Sequence, residues 1–335
     1  MDTVTNSEAT GRAAGCRRGA LRDRVAPVWL VAALACAFAV VAPPVGAADA
    51  GVEIPAATVA VDGSRIRVYM DPTQFMLGRA QILAWVERSA NIVRGYYGSF
   101  PATRLDLHLE RVDGDAVRGG RAEDEGGLLI RIGVGREVTD STLLRDWVLV
   151  HEMIHLALPG LLQRHSWLSE GIATYVEGVA RVQAGNMTAS ELWIEYQTEM
   201  PKGLPAPGDA GLDQTHTWAR TYWGGALFCL VADLEMHERS SNRVGLQEAL
   251  RAVARASGGM TDAWPIERVI ATGDAATGMT VLSDLYDAWR QRPIDPDLAG
   301  LWRRLGLNRD ADATATTPGT LTIAEAITQR HAPRP

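Results

Sequence analysis

The 335-residue sequence predicts an α+β fold, in which a small N-terminal sheet precedes a mostly helical part. Apolar and polar residues alternate at several places in the first 135 residues, and this period is typical of half-buried strands. From Asp140 onward, apolar residues recur mainly at the spacing of amphipathic helices. Strands that come first, with helices afterwards, are the order of an α+β protein.

Three strand segments and one helix are predicted before Asp140. Residues 58–70 alternate around Asp62-Gly63, which predicts a β-hairpin. Residues 75–97 have helical periodicity and end before a glycine. Residues 105–112 and 128–134 are rich in apolar residues and predict two further strands.

The rest of the chain is predicted to be helical, with two exceptions. Residues 200–213 are rich in proline and glycine and predict a loop that flanks a cleft. The Ala/Thr-rich residues 310–320 predict a flexible linker before a last short helix. The predicted helices are 140–158, 166–182, 189–199, one that ends at residue 238, 247–256, 281–290 and 297–305.

The first 47 residues have the features of a signal peptide. Five arginines precede an apolar run over residues 28–42, which is too short for a comfortable membrane span, and Val45-Gly46-Ala47 fits the small-residue cleavage rule. We therefore expect an exported protein, secreted or periplasmic, that has no contact with the membrane once the signal peptide is cleaved. An uncleaved N-terminal membrane anchor is the alternative.

Charge and cysteine content exclude some classes of function. The formal net charge is −7, and no run of lysine and arginine occurs outside the leader, so a nucleic-acid partner is not expected. Cleavage after Ala47 would leave Cys229 as the single cysteine, so no intrachain disulfide is expected.

The segment His151-Glu152-Met153-Ile154-His155 contains the residues that a zinc hydrolase needs. On a helix, residues four apart lie on one face at about 5–6 Å, so both imidazoles can bind one metal ion. Glu152 lies beside that ion without being a ligand. A zinc ion with three protein ligands binds a water molecule and lowers its pKa to about 7, and a neighbouring carboxylate can accept the proton when that water attacks.

Glu170 is the candidate for the third ligand. It lies near the start of the predicted helix 166–182, for which Ser166 fits an N-cap. Leu158-Pro159-Gly160 ends the preceding helix, and the short connection lets the second helix fold back against the first. Gly171 has no side chain, so we expect it to let the two backbones approach closely.

These segments resemble a known enzyme family. His-Glu-Met-Ile-His, followed at 167–175 by Trp-Leu-Ser-Glu-Gly-Ile-Ala-Thr-Tyr, is similar to the gluzincin metallopeptidases. The resemblance implies a thermolysin-like zincin fold and one Zn²⁺ bound by His151, His155 and Glu170. The stretch 222–227, Tyr-Trp-Gly-Gly-Ala-Leu, followed by Asp-Leu-Glu at 233–235, resembles the tyrosine-bearing helix of the M1 and M61 aminopeptidases. The tyrosine hydroxyl stabilises the oxyanion in those families, which implies this role for Tyr222.

The sequence departs from the M1 pattern in three places. The spacer between His155 and Glu170 is 14 residues, which is shorter than in M1 enzymes and closer to compact secreted proteins grouped as peptidase MA-like. Gly224 stands where M1 enzymes have a lysine. Residues 125–132 stand where aminopeptidases have a Gly-Ala-Met-Glu-Asn stretch that holds the substrate's amino group. A strand there could pair with an extended substrate through its main chain, but recognition of a free amino terminus is not expected.

Several residues have a second interpretation. Tyr222 could be a core tyrosine whose hydroxyl is bonded to a carbonyl, in which case His216 is the rival oxyanion donor. Glu177 could orient a ligand imidazole or could be a solvated acid on the outer face. His165 is predicted to be a loop residue, because its spacing from His155 does not match the third histidine of metzincins. Core or subdomain contacts rather than a substrate pocket are predicted for Trp147, Trp167, Trp193, Trp218 and Trp223.

The sequence therefore predicts an exported zinc metallopeptidase that acts on peptide or protein substrates, with Glu152 as general base and Tyr222 as oxyanion donor. The alternatives are a non-catalytic protein that keeps the zinc scaffold to bind a partner, and a hydrolase of a non-peptide amide. The predicted parts are a signal peptide (1–47), an N-terminal α+β part with an edge strand (48–138), a zinc-binding helical core (139–240), a C-terminal helical subdomain (241–309) and a flexible tail (310–335).

Overall fold

A computed structural model describes residues 55–307 and 321–329 of the chain. The predicted signal peptide and the predicted linker 310–320 lie outside the described residues. Within them a five-stranded sheet comes first and helices make up most of the remainder, so the predicted α+β order is confirmed.

The sheet is mixed, with the strand order β1-β2-β3-β5-β4. Strands β2, β3 and β5 run parallel, whereas β1 and β4 are antiparallel to their neighbours. The strand predicted at 128–134 is β5, which pairs on both sides, so the expectation that it offers a free edge was wrong. That edge belongs to β4, a strand that the sequence did not predict. The bounds are β1 Ala57–Val61, β2 Ser64–Tyr69, β3 Arg104–Val112, β4 Val117–Asp124 and β5 Leu128–Gly135.

The predicted hairpin at Asp62-Gly63 is confirmed. Both residues have positive φ, 53° and 81°, which is the conformation of the tight turns that suit the twist of paired strands. Alternate residues of β3 and β5, such as Leu107 and Ile130, are fully buried against the helices. Residues between them, such as Arg131, lie on the opposite and partly exposed face of the sheet.

The described residues contain eleven α-helices. Most predicted helices are present with ends shifted by a few residues, and α8 was not predicted. No helix among the described residues has the length and apolar character needed to cross a membrane. The bounds are α1 Arg79–Tyr97, α2 Asp140–Arg145, α3 Val148–His155, α4 Ser166–Gln183, α5 Ala189–Glu199, α6 Gly225–Ser240, α7 Leu246–Ser257, α8 Ile266–Thr277, α9 Val281–Trp289, α10 Leu298–Leu305 and α11 Ile323–Thr328.

The helix predicted at 140–158 is divided in two by Asp146, whose backbone is extended. Its carboxylate accepts hydrogen bonds from the backbone amides of Val148 and Leu149, at 3.1 and 3.2 Å, and from the indole of Trp85 at 3.0 Å. Asp146 therefore satisfies the free amides at the start of α3, the helix that carries both histidines.

Helix α4 crosses the start of α6 with backbone against backbone. A Cβ atom on Gly171 would lie 2.3 Å from the carbonyl carbon of Gly225, and one on Gly225 would lie 2.1 Å from the carbonyl oxygen of Trp167. A close approach at Gly171 was predicted, but its partner is the helix after Tyr222 and not the histidine helix. This crossing brings α4 next to the π-helical turn Arg220–Gly224 that contains Tyr222.

Candidate metal centre

The structure brings His151, His155 and Glu170 together at the contact between α3 and α4. One donor atom from each residue lies within 4.8 Å of the others. Glu170 Oε2 is 3.2 Å from Nε2 of His151 and 3.5 Å from Nε2 of His155. His151 is buried, and about a quarter of the Glu170 side chain is exposed, so solvent reaches the site at Glu170.

These distances fit a tetrahedral zinc site. Bonds of about 2.0–2.2 Å from zinc to nitrogen and oxygen place two tetrahedral ligand atoms roughly 3.3–3.6 Å apart. The two distances from Glu170 Oε2 to the imidazole nitrogens agree with this separation. Two imidazoles and one carboxylate are also a donor set of catalytic zinc sites, which keep a fourth position open.

Ser169 orients His155. Its hydroxyl lies 3.1 Å from Nδ1 of this histidine, which leaves Nε2 as the nitrogen that faces Glu170. A hydrogen bond to the non-ligating nitrogen fixes the ring orientation of metal-binding histidines. Sequence reasoning did not single out Ser169, although its place next to Glu170 in the first turn of α4 was a signal.

The two imidazoles determine the charge state of Glu170. Burial alone would raise the pKa of this carboxyl, but hydrogen bonds from His151 and His155 outweigh it and hold the pKa far below its ordinary value. Glu170 is therefore ionised at neutral pH and can offer a full negative charge to a cation. Within the described residues, Nδ1 of His151 is buried without a hydrogen-bond partner.

Glu152 is buried beside the three candidate metal ligands and contacts the edge strand β4. Burial raises the pKa of its carboxyl, and the imidazoles of His155 and His151 partly offset this effect. Strand β4 comes so close that a Cβ on Gly120 would lie 2.4 Å from Cγ of Glu152. Gly120 is therefore required for this approach.

Tyr222 lies over the ring of His151, with centroids 6.1 Å apart and an angle of 20° between the rings. Burial, together with the negative charges of Glu170 and Glu152, raises the pKa of the phenol. The hydroxyl consequently keeps its proton at neutral pH and can act as a hydrogen-bond donor. His216, the rival donor, is exposed in the preceding loop.

Glu177 does not have either role considered for it. It is buried, which rules out a solvated acid, and its carboxylate pairs with Nη1 of Arg181 at 3.2 Å, not with an imidazole. Burial raises the pKa of Glu177 to about 8, although Arg181 lowers it. Arg181 also donates to the backbone carbonyl of Arg145 at 3.1 Å, so this pair ties α4 to the end of α2.

His165 is part of a separate buried cluster. Its Nδ1 lies 2.9 Å from the carboxylate of Asp213, which also accepts hydrogen bonds from Trp167 at 2.8 Å and Tyr286 at 3.0 Å. Arg164 donates to its Nε2 at 3.0 Å. The sequence predicted a loop residue, whereas His165 is the last residue of the short 3-10 helix Gln163–His165 and is buried. The cluster attaches the loop before Tyr222 to the N-terminal end of α4.

The five tryptophans fall into two groups. Trp167, Trp193 and Trp223 are buried, as predicted, with exposed fractions of 0, 6 and 9%. Trp147 and Trp218 are 47% and 46% exposed, so the prediction of core contacts was wrong for these two. Each lies four residues before a residue of the site, His151 and Tyr222 respectively.

Known proteins resemble this chain in structure rather than in sequence. The sequence matches no protein-family model, and no curated protein matches it significantly. The fold is similar to that of an aminopeptidase N family protein from Idiomarina loihiensis, with a TM-score of 0.58 and 14% identity over 75% of this chain and 49% of that chain. An M1 zinc metallopeptidase from Deinococcus radiodurans matches with a TM-score of 0.47 and 15% identity over 72% of this chain and 52% of that chain.

The chain thus spans about half the length of these structures. At this level of identity the likeness concerns the fold alone, and it agrees with the resemblance to the gluzincins. The chain therefore has a fold similar to that of the aminopeptidase N family protein from Idiomarina loihiensis.

Proposed function

We propose that this protein is an exported zinc metallopeptidase that hydrolyses peptide bonds. The observation that carries the proposal is that one donor atom each of His151, His155 and Glu170 lie within 4.8 Å of one another, with both distances from Glu170 Oε2 close to the separation of tetrahedral zinc ligands. His151, His155 and Glu170 would hold the ion. When bound, Zn²⁺ would polarise the substrate carbonyl and lower the pKa of a water molecule.

Glu152 is the general base in this proposal. Its carboxylate would accept a proton from the attacking water and then donate it to the nitrogen of the leaving amine. Two features of Glu152 support this role. Burial raises its pKa above the ordinary value, as is typical of carboxyls that exchange protons in catalysis, and strand β4 packs against its side chain at Gly120.

Tyr222 is the oxyanion donor in this proposal. Charge develops on the carbonyl oxygen as the water adds, and a hydroxyl already placed beside the site stabilises that charge without reorganisation. The raised pKa of the phenol supports the role, because the donor has to keep its proton.

Strand β4 is proposed to bind the substrate main chain. It is the edge of the sheet, and such an edge has backbone donors and acceptors without partners. It also lies against Glu152, so a peptide that adds to it would place its main chain beside the base. The sequence suggested that the strand at 128–134, which is β5, pairs with the substrate main chain; we assign this role to β4 instead.

The alternation of side chains on β4 decides whether Glu123 could hold a substrate amino group. Side chains alternate along a strand, so Gly120 and Ala122 lie on the face of Glu152, whereas Arg121 and Glu123 lie on the other face. On that face the carboxylate of Glu123 accepts a hydrogen bond from Arg121 at 2.8 Å. Glu123 therefore points away from the position in which it could hold a substrate amino group.

The burial of Glu152 argues against a protein that only binds a partner. A carboxylate that is 8% exposed has lost most of its hydration, which is costly unless it is hydrogen-bonded or neutralised. A binding scaffold has no use for such a group next to the metal ligands, whereas a hydrolase needs it. A hydrolase of a non-peptide amide would use the same residues and differs only in the substrate.

Substitution Glu152→Gln tests the proposed function. The zinc-loaded wild type should cleave N-acetylated peptides, and the variant should bind one zinc ion and lose at least ~10³-fold in kcat/KM, because the general base is absent. Turnover by metal-replete Glu152→Gln would contradict the role of the base. A zinc-loaded wild type that cleaves no peptide would favour the binding protein or the non-peptide amidase, and cleavage of unblocked peptides alone would indicate an aminopeptidase.

Export is the remaining part of the proposal. It rests on the arginine-rich start, the apolar run and the small residues at 45–47. N-terminal sequencing of the protein from the periplasm or the medium should give a chain that begins just after Ala47. A full-length chain in the membrane fraction would indicate the uncleaved anchor.

A further inference from the structure

Two half-exposed tryptophans border the proposed catalytic site. Trp147 precedes α3, and Trp218 lies just before the turn that carries Tyr222. Each exposes nearly half of its surface, whereas the other three tryptophans considered above are buried. Exposed aromatic surface is costly in water, so two such rings beside one site indicate a binding surface.

The two tryptophans form a continuous row of rings with residues of the site. Trp147 meets His151 edge-on at 5.8 Å between centroids, and His151 faces Tyr222 at 6.1 Å. Tyr222 in turn faces Trp218 at 5.8 Å, with 27° between the rings. We call Trp147, His151, Tyr222 and Trp218 the aromatic row. Trp147 and His151 are four residues apart at α3, and Trp218 and Tyr222 are four residues apart in the helical segment before α6.

We propose that the aromatic row is a substrate subsite that binds an aromatic side chain adjacent to the scissile peptide bond. The inference rests on the proposed function, because it takes the atoms next to Tyr222 as the place of the scissile carbonyl. The side chain of a substrate residue on either side of that carbonyl lies within reach of the neighbouring rings. Phe, Tyr or Trp would extend the row by one more stacked ring.

The chemistry of the row favours an aromatic ligand over a charged one. Aromatic pairs prefer offset-stacked or edge-to-face contacts with centroids 4.5–7 Å apart, and every neighbouring pair in the row already has this spacing. A lysine or arginine could also stack on an indole. However, His151 is a proposed ligand of a dication, and that charge disfavours a cationic side chain in the same row.

Binding to the inactive Glu152→Gln variant tests the subsite without catalysis. The probes are two blocked tripeptide amides, acetyl-Ala-Phe-Ala and acetyl-Ala-Ala-Ala, followed by tryptophan fluorescence and by calorimetry with zinc present. We expect the Phe peptide to bind roughly tenfold more tightly and to change the tryptophan emission. Equal affinity for the two peptides, or tighter binding of a Lys peptide, would overturn the inference.

Variants of Trp218 test whether this residue causes the preference for the Phe peptide. In the Glu152→Gln background, Trp218→Ala should reduce the Phe-to-Ala affinity ratio to about 1–3, whereas Trp218→Phe should keep most of it because a ring remains. Ile194→Ala is the matched control, since Ile194 is an exposed apolar residue of α5. Thermal denaturation of each variant checks the fold, and Trp147→Ala tests the other end of the row if Trp218→Ala does not fold. An unchanged ratio in the folded Trp variants would overturn the inference.

The outcomes also separate this inference from the proposed function. A wild type that cleaves Phe and Ala peptides with equal kcat/KM would overturn the subsite alone. A Phe preference in binding that is lost in Trp218→Ala, without cleavage of any peptide by the zinc-loaded wild type, would support the subsite and overturn the peptidase.

Discussion

Substitution Gly171→Ala tests whether the crossing of α4 with the helix after Tyr222 sets the geometry of the site. The new Cβ would lie 2.3, 2.4 and 2.7 Å from the carbonyl carbon, the Cα and the carbonyl oxygen of Gly225. All three are backbone atoms, so no side chain can move aside. Restoring ordinary contact at 3.4 Å or more requires the two helices to separate by about 1 Å.

This separation has two expected consequences. Overpacking of a tight contact should lower the free energy of unfolding by about 1–3 kcal/mol. The shift should also move Glu170, the neighbour of Gly171, away from Tyr222, and a displacement of about 1 Å in a catalytic arrangement can cost on the order of 10²-fold in rate. Urea denaturation and kcat/KM on a blocked peptide measure the two effects.

Gly95→Ala is the matched control. Gly95 is an interior glycine of α1, and a Cβ there would meet no atom within 4 Å. The control should be as stable as the wild type or more stable by up to about 1 kcal/mol, because alanine favours the helix. A Gly171→Ala variant with the stability and kcat/KM of the wild type would refute the reasoning.

Two further predictions concern Tyr222 and Glu177. Tyr222→Phe should lower kcat by roughly 10²-fold with little change in zinc affinity, while His216→Ala should change kcat little; a larger loss in His216→Ala, measured on the same blocked peptide, would exchange the two roles. The pKa of Glu177 is about 8 in the folded protein against an ordinary 4.5. Between pH 4.5 and 8 the folded state therefore keeps Glu177 protonated, whereas the unfolded chain releases this proton. The contribution of Glu177 to the free energy of unfolding should therefore be highest below pH 4.5 and decrease as the pH rises to 8. The difference in urea stability between the wild type and Glu177→Gln, measured from pH 5 to 9, should follow this decrease, and a pH-independent difference would contradict it.

The parts of the fold that the sequence predicted are those with strong local signals. The hairpin at Asp62-Gly63 and the helices around the metal centre have clear turn residues or periodicity. Strand β4 was missed because residues 117–124, Val-Arg-Gly-Gly-Arg-Ala-Glu-Asp, contain two glycines and little apolar alternation. Strand β4 is held to β5 by backbone hydrogen bonds, which do not require a particular side chain. An exposed edge strand of this kind therefore need not show the apolar alternation that identifies strands in a sequence.

The candidate site divides in the same way. The sequence predicted that His151, His155 and Glu170 lie close together. That prediction used only the spacing of the two histidines along one helix and the short connection to the next helix, and both are local features. The contacts of Glu177, the partner of Gly171 and the exposure of Trp147 and Trp218 depend on which elements meet in three dimensions. Residue order contains little information about such contacts, and these are the points at which the predictions were wrong.

The central claim is that His151, His155 and Glu170 bind one zinc ion. The most direct measurement is a crystal structure of the zinc-loaded protein with anomalous data collected at the zinc edge. We predict one strong anomalous peak at about 2.0–2.2 Å from Nε2 of both histidines and from an oxygen of Glu170. A peak at another place, or zinc-soaked crystals without a peak at these atoms, would contradict the account.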